Sequence, residues 1–329
     1  MRRSLPLLAL LLLCAACTTT HAAPHASGHS SPAAGPATTA PRHLQVRQLA
    51  WRLPGPLARE AVVRLADRRH VVVAGGLLPG DTSTPATWVL DLRSGRVTRG
   101  RPLRVPVHDT AGALVHGRPV VLGGGNAAEQ AVVQVRTAHG WRVRGRLPAA
   151  RSDLAAVTVD GRTLVVGGYD GSSPALGAVL SSTDGVHWKR WGRLPLPVRY
   201  PGVATTGGHV WVFGGERNGA EVGAVQRLDL ATGRARVVAH LPHPLGHEAA
   251  VALGSRILVV GGRTSGSTLT SRMWWFDPAT RRFRAAGRLP HRLADSAVVA
   301  AHDEAWLVGG ETPAFSTRVL RVALTSSAG

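Results

Sequence analysis

Cysteine is nearly missing from this 329-residue chain: it has two, Cys14 and Cys17, both in the first 17 residues. Disulfides, zinc–thiolate centres and cysteine nucleophiles are therefore excluded from everything downstream. Lysine is scarcer still, with Lys189 alone, and acids are few: 19 Asp and Glu stand against 39 Lys and Arg, a formal net charge of +20. Such a balance raises nucleic acid as a partner. The arginines, however, are spread along the whole chain, and the aromatic–basic platforms that hold single strands are missing, so no nucleic acid is expected. The apolar stretch Leu5 to Leu13 is too short for a mature membrane span. Amphipathic helical stripes are lacking as well. No Gly-x-Ser-x-Gly, His-Glu-x-x-His or phosphate-loop motif occurs, so the common hydrolase, zincin and nucleotide chemistries have no foothold.

What is plentiful is glycine, 39 residues, and proline, 22, set between short Val- and Leu-rich runs. That mixture reads as all-β structure with many tight turns. A Gly-Gly pair closes such a run six times: Gly75-Gly76, Gly123-Gly124, Gly167-Gly168, Gly214-Gly215, Gly261-Gly262 and Gly309-Gly310, at steps of 48, 44, 47, 47 and 48 residues. A period of about 40–50 residues belongs to propeller blades. Each unit repeats further marks. A Leu-Pro or equivalent turn such as Leu147-Pro148 leads in, and a small-residue strand such as Ala155-Ala156-Val157 follows. Beyond the glycines comes a strand ending at aspartate, as at Asp91, Asp229 and Asp277, then a fourth strand with an aromatic, Trp141, Trp188 or Phe283. Small residues suit the crowded innermost strand, and bulky aromatics suit the widening wedge between blades.

The pattern resembles the kelch repeat, whose mark is a Gly-Gly doublet followed by spaced aromatics. It covers residues 44–325 and implies a six-bladed β-propeller of four-stranded blades. The last unit shows one clear strand after its glycines, Arg318 to Leu324. The strand-like piece from Leu44 to Leu53 is expected to complete it and close the ring. Ser182-Thr183-Asp184-Gly185-Val186-His187-Trp188 resembles the Asp-box turn of sialidase propellers, a structural hairpin. Galactose oxidase shares the repeat, but its copper chemistry requires a cysteine-linked tyrosine. The domain has no cysteine, so no cofactor and no metal are expected.

Residues 1–17 read as a signal peptide, with Arg2 and Arg3 before the apolar stretch. Cys14-Ala15-Ala16-Cys17 resembles the lipobox of bacterial lipoproteins, which implies lipidation at Cys17 and a place on the outer face of the cell membrane; Cys14 stands where that family usually has leucine. Residues 18–43, rich in Ala, Pro, Thr, Ser and His, read as a disordered tether. His21, His25 and His29 have helical ligand spacing, but Pro24 argues against a helix there.

A second recurrence marks the turns entering the innermost strands. Acidic residues stand there in five units, Glu60, Asp109, Asp153, Glu248 and Asp295, with Tyr200 in the remaining one. Arg59, His108, Arg151, Arg199 and His247 sit just before them. Such a ring at a channel mouth has two readings: a polar ligand pocket, or charges paired to satisfy one another. With a repeat scaffold and no catalytic constellation, the expectation is a monomeric, non-catalytic envelope binding protein that takes a protein or glycan at the channel face. The alternative is a sugar mutarotase or epimerase like the kelch-type sialic acid epimerases, using Arg59, Arg151, Arg199, Glu60 and Glu248.

Overall fold

The computed structural model describes residues 42–265 and 268–326. The leader, Cys17 and the tether's His21, His25 and His29 lie outside the described residues, whereas its last two residues, Arg42 and His43, begin the first strand. No helix of four-residue repeat occurs among those described; the chain folds into antiparallel sheets.

Six sheets carry the fold, each four strands deep from the axis outward, with short extra hairpins on blades one, four, five and six. Their innermost strands are Ala61–Arg64, Ala111–Val115, Ala155–Val159, Gly202–Thr206, Ala249–Leu253 and Ala297–Ala301. Each touches the next, and the sixth touches the first, so the sheets close into a ring. Six apolar clusters fill the wedges between neighbouring blades. Trp141 shows the principle: it sits on blade two, buried in one cluster with Val63 and Val72 of blade one. A lone blade would leave such faces in water, so the repeats are stable only as a stack.

The ring closes as the sequence suggested. Arg42–Gln48 pairs antiparallel with Val319–Ser326 and completes blade six. The strand starts two residues before Leu44 and stops short of Trp51. Trp51 instead packs over Gly95 in a turn of blade one, where a β-carbon would come within 2.1 Å of the indole. The aspartates ending the third strands cap their turns: Asp91, Asp229 and Asp277 each accept backbone N–H bonds from the residues two and three ahead. Asp184 does the same for Val186 and His187 in the Asp-box-like hairpin.

The glycine doublets join blades to each other as well as ending strands. Gly123 has φ +57°, and a β-carbon there would lie 2.4 Å from the Arg151 carbonyl of blade three. That same carbonyl accepts the Gly124 N–H at 2.8 Å. The five other doublets repeat this contact with Val107, Val198, Leu245, Leu293 and Leu57. The first glycine clears the approach and the second bonds it.

Candidate functional site at the channel mouth

The turn before each innermost strand holds one residue in the left-handed region: Arg59, Asp109, Asp153, Tyr200, His247 and Asp295, with φ between 48° and 61°. Left-handed backbone is uncommon outside glycine and clusters where surroundings enforce it. Here the cause is a hydrogen-bonded ring. The backbone N–H of Asp153 donates to Asp109, Tyr200 to Asp153, His247 to Tyr200, Asp295 to His247 and Arg59 to Asp295, at 2.9–3.2 Å. At the remaining step side chains take over, the Arg59 guanidinium lying 3.3 Å from Asp109.

A second tier lies on this ring. The residue immediately after each glycine doublet forms a β-bridge to the residue before the ring position; Arg199 with Glu216, Gly246 with Arg263 and Ala294 with Glu311 are three of these. Together the tiers make a continuous ion-pair network. Arg59 reaches Asp109, Asp295 and Glu311; Arg263 reaches Asp295 and Glu311; His247 bridges Asp295 at 2.6 Å and Glu216 at 3.3 Å; Arg199 holds Glu216 at 2.8 Å and Asp153 at 3.5 Å. Tyr200 stacks on His247 with ring centroids 3.9 Å apart, and its hydroxyl donates to Asp109 at 3.2 Å. The Arg199 guanidinium lies over both Tyr169 and Tyr200.

The network divides into two electrostatic halves. Burial opposes charge on His247, but Asp295 and Glu216 outweigh it and raise the imidazole to about 9, so it is a cation at neutral pH. Burial likewise opposes charge on Asp295, yet His247, Arg59 and Arg263 hold it well below the usual carboxylate range. Across the mouth, Asp109 and Asp153 are pushed up. Burial is the main cause in both; Asp295 adds to Asp109, and the Asp109 charge adds to Asp153. One side of the mouth is thus a fixed salt lattice, and the other a carboxyl pair able to take up a proton near neutral pH. Below the ring the channel encloses about 200 Å³.

A kelch motif family matches residues 244–290, the entry turn and all four strands of blade five. That motif covers one of the six blades, which share one plan around the axis. The chain is a kelch-repeat β-propeller. Among curated proteins, the propeller is similar to N-acetylneuraminate epimerase of Pasteurella multocida (strain Pm70), 34% identical over 159 residues, 38% of this chain and 42% of that protein. It is also similar to a Kelch repeat and BTB domain-containing protein 1 of horsepox virus, 24% identical over 168 residues, 46% of this chain and 28% of that protein. The matched part is less than half of either relative's length.

The structure brings Arg59, Asp109, Asp153, Arg199, Tyr200, His247 and Asp295 of the propeller together at the mouth. His108 stands at its edge, bonded through Nδ1 to Ser83 Oγ at 2.7 Å and 3.5 Å from Asp109 through Nε2. Three expected residues stay out of the ion-pair network, although Glu60 and Glu248 line the channel below it. Glu60 and Glu248 come one position after the ring residues, so the chain reversal turns their carboxyls down between blades. Glu60 lies against Gly309, and Glu248 accepts the Gly202 N–H at 3.2 Å. Arg151 is buried two residues before its ring position and donates to the Gly167 and Ala178 carbonyls. The ring of five acids is therefore a ring of three acids, an arginine, a histidine and a tyrosine. Glu216, Arg263, Glu311 and Tyr169 had been missed, although each directly follows a glycine doublet.

Proposed function

We propose that this propeller binds a sugar at its channel mouth, as an exported protein held at the envelope by lipid on Cys17. The observation that carries the reading is the prearranged network itself. Planar guanidinium, carboxylate and imidazole groups are locked by mutual bonds beside the faces of Tyr169 and Tyr200. Each retains donor or acceptor capacity for hydroxyl groups, and Arg59, Arg199, Arg263, Glu216 and Glu311 keep partial exposure. Because the lattice is paired before ligand arrives, little ordering cost falls on binding. On a glycan array, Arg199→Gln is expected to weaken capture by about tenfold, the loss of one charge-assisted bond. Capture by Arg199→Gln equal to the parent's would remove the mouth from consideration. Cys17→Ser is expected to move the protein from the membrane to the soluble fraction.

A second reading is favoured by the raised carboxyl pair. Interconverting sugar anomers requires a group that gives and takes a proton near neutral pH, and Asp153 beside Asp109 and Tyr200 is such a group. The similarity to an N-acetylneuraminate epimerase supports the same chemistry. Fresh N-acetylneuraminate followed by NMR should lose its anomeric excess faster with the protein than in buffer, and Asp153→Asn should abolish the acceleration. No acceleration across a panel of reducing sugars leaves binding alone.

A further inference from the structure

Outward from the mouth, between blades four and five, lies a separate cavity of about 500 Å³. Its walls adjoin mouth residues in the chain: Leu245 is two residues from His247, and Thr264 follows Arg263. The mouth is balanced between charges; this cavity is not. Among the described residues Arg272, Arg288 and Arg292 line it, and no carboxylate does. Arg272 and Arg288 are directly opposite each other on neighbouring antiparallel strands. Like charges so placed repel. Arg288 and Arg292 form no ion pair or side-chain hydrogen bond among the described residues, and the Arg272 guanidinium donates to His243 Nε2 at 3.3 Å.

An anion seated between Arg272 and Arg288 would relieve the repulsion and meet two forked donors. The other wall has a different chemistry. The half-buried Trp274 indole lines the cavity, with the His243 ring 6.2 Å away, and the hydroxyls of Ser265, Thr268 and Ser271 stand nearby. An indole face with hydroxyl donors suits a sugar ring, and the cavity volume falls in the range of small-ligand sites. We propose that this cavity is a second binding site, for a saccharide unit bearing carboxylate, sulfate or phosphate: the anion lies on Arg272 and Arg288, the ring on Trp274. These side chains are outside the mouth, so the outcome does not depend on what the mouth binds.

The test is calorimetric titration of the full chain with a galacturonate trisaccharide, a sulfated disaccharide, neutral maltotriose, inorganic phosphate and phosphatidylglycerol vesicles. At least one acidic saccharide is expected to bind more tightly than maltotriose, with affinity falling as salt rises. Arg272→Gln with Arg288→Gln should weaken that binding by about tenfold or more and flatten its salt dependence. Both side chains are exposed, and the melting temperature of the double variant should not fall. Trp274→Leu should weaken the acidic saccharide while leaving phosphate unchanged. Unaltered saccharide affinity in the double arginine variant overturns the site. So does binding restricted to vesicles, which would make the patch a lipid contact, and so does phosphate binding that matches the saccharides.

Discussion

Glu60 and Glu248 are acids without adequate partners. Both are buried; neither Glu60 oxygen and only one Glu248 oxygen has a bond partner among the described residues. Burial pushes Glu60 up to about 8 and Glu248 to about 7, with partial relief from nearby backbone amides. A carboxyl raised in the folded state keeps a proton that the unfolded chain releases, so stability falls as pH climbs from about 4 to about 8. His247 works in the same direction. Its folded value of about 9 exceeds its unfolded one, so its contribution is complete below about 6.5 and is lost as pH rises through 9. Asp295 and Glu216, held low, contribute above about 4 and fade as pH falls. Maximum stability is therefore expected near pH 4–5, acidic of neutrality, with a melting temperature that declines steadily to pH 9. Glu60→Gln is expected to flatten that decline and to raise the melting temperature at pH 8 by roughly 4 °C or more, since about 2–4 °C corresponds to 1 kcal/mol in a domain of this size. Thermal scans by tryptophan fluorescence at five pH values would decide it; a slope unchanged by the substitution would mean the Glu60 carboxyl is solvated and ionised.

At the scale of the element, the glycine doublet explains why one motif recurs while its surroundings vary. Gly123→Ala would place a methyl 2.4 Å from the Arg151 carbonyl and disturb the Gly124 bond across blades. Gly207 is the control: it belongs to another Gly-Gly pair, in a hairpin tip, with φ +59° and open space around its α-carbon. Gly207→Ala should cost about 1 kcal/mol, the left-handed penalty alone; Gly123→Ala should cost about 3 kcal/mol or more, as strain in a packed core is added. Urea unfolding midpoints separate the two, and equal losses would refute the interblade role. The doublets were readable from sequence because glycine is required wherever that carbonyl approaches, so the spacing recurs in all six units. The mouth was less readable. Its ring position accepts Arg59, Asp109, Asp153, Tyr200, His247 or Asp295, since what the ring demands is a backbone φ and an N–H, which side-chain type does not report. Following acidic residues alone selected Glu60 and Glu248, one place out of register, and a one-residue shift across a turn moves a carboxyl from the mouth to the space between blades. The tier after the doublets, Glu216, Arg263 and Glu311, sits at a constant offset and could have been found by aligning the six repeats before asking about charge.

For the whole molecule the decisive element is the strand that arrives first in sequence and last in the ring. Five blades are each built from one continuous stretch, whereas blade six joins Arg42–Gln48 to Val319–Ser326 in a ladder running from Arg42 opposite Ser326 to Gln48 opposite Leu320. Leu44 and Val46 pack against the cluster that blades five and six share. Without this strand, Val319–Ser326 would become an exposed edge flanked by uncovered apolar residues, a template for pairing with other chains. The inner contacts between blades would survive, so the expected result is a weakened and self-associating propeller instead of an unfolded chain. A protein beginning at Ala50 should melt about 10 °C or more below one beginning at Pro41, given several lost ladder bonds and two uncovered aliphatic side chains. It should also sediment as oligomers in proportion to concentration, and a synthetic peptide of residues 41–49 added in excess should restore both the monomer and part of the melting temperature, because a ligand that binds the folded state alone stabilises it by mass action. Identical melting of the two chains would show that three strands suffice for blade six and that the ring holds through its inner strands alone.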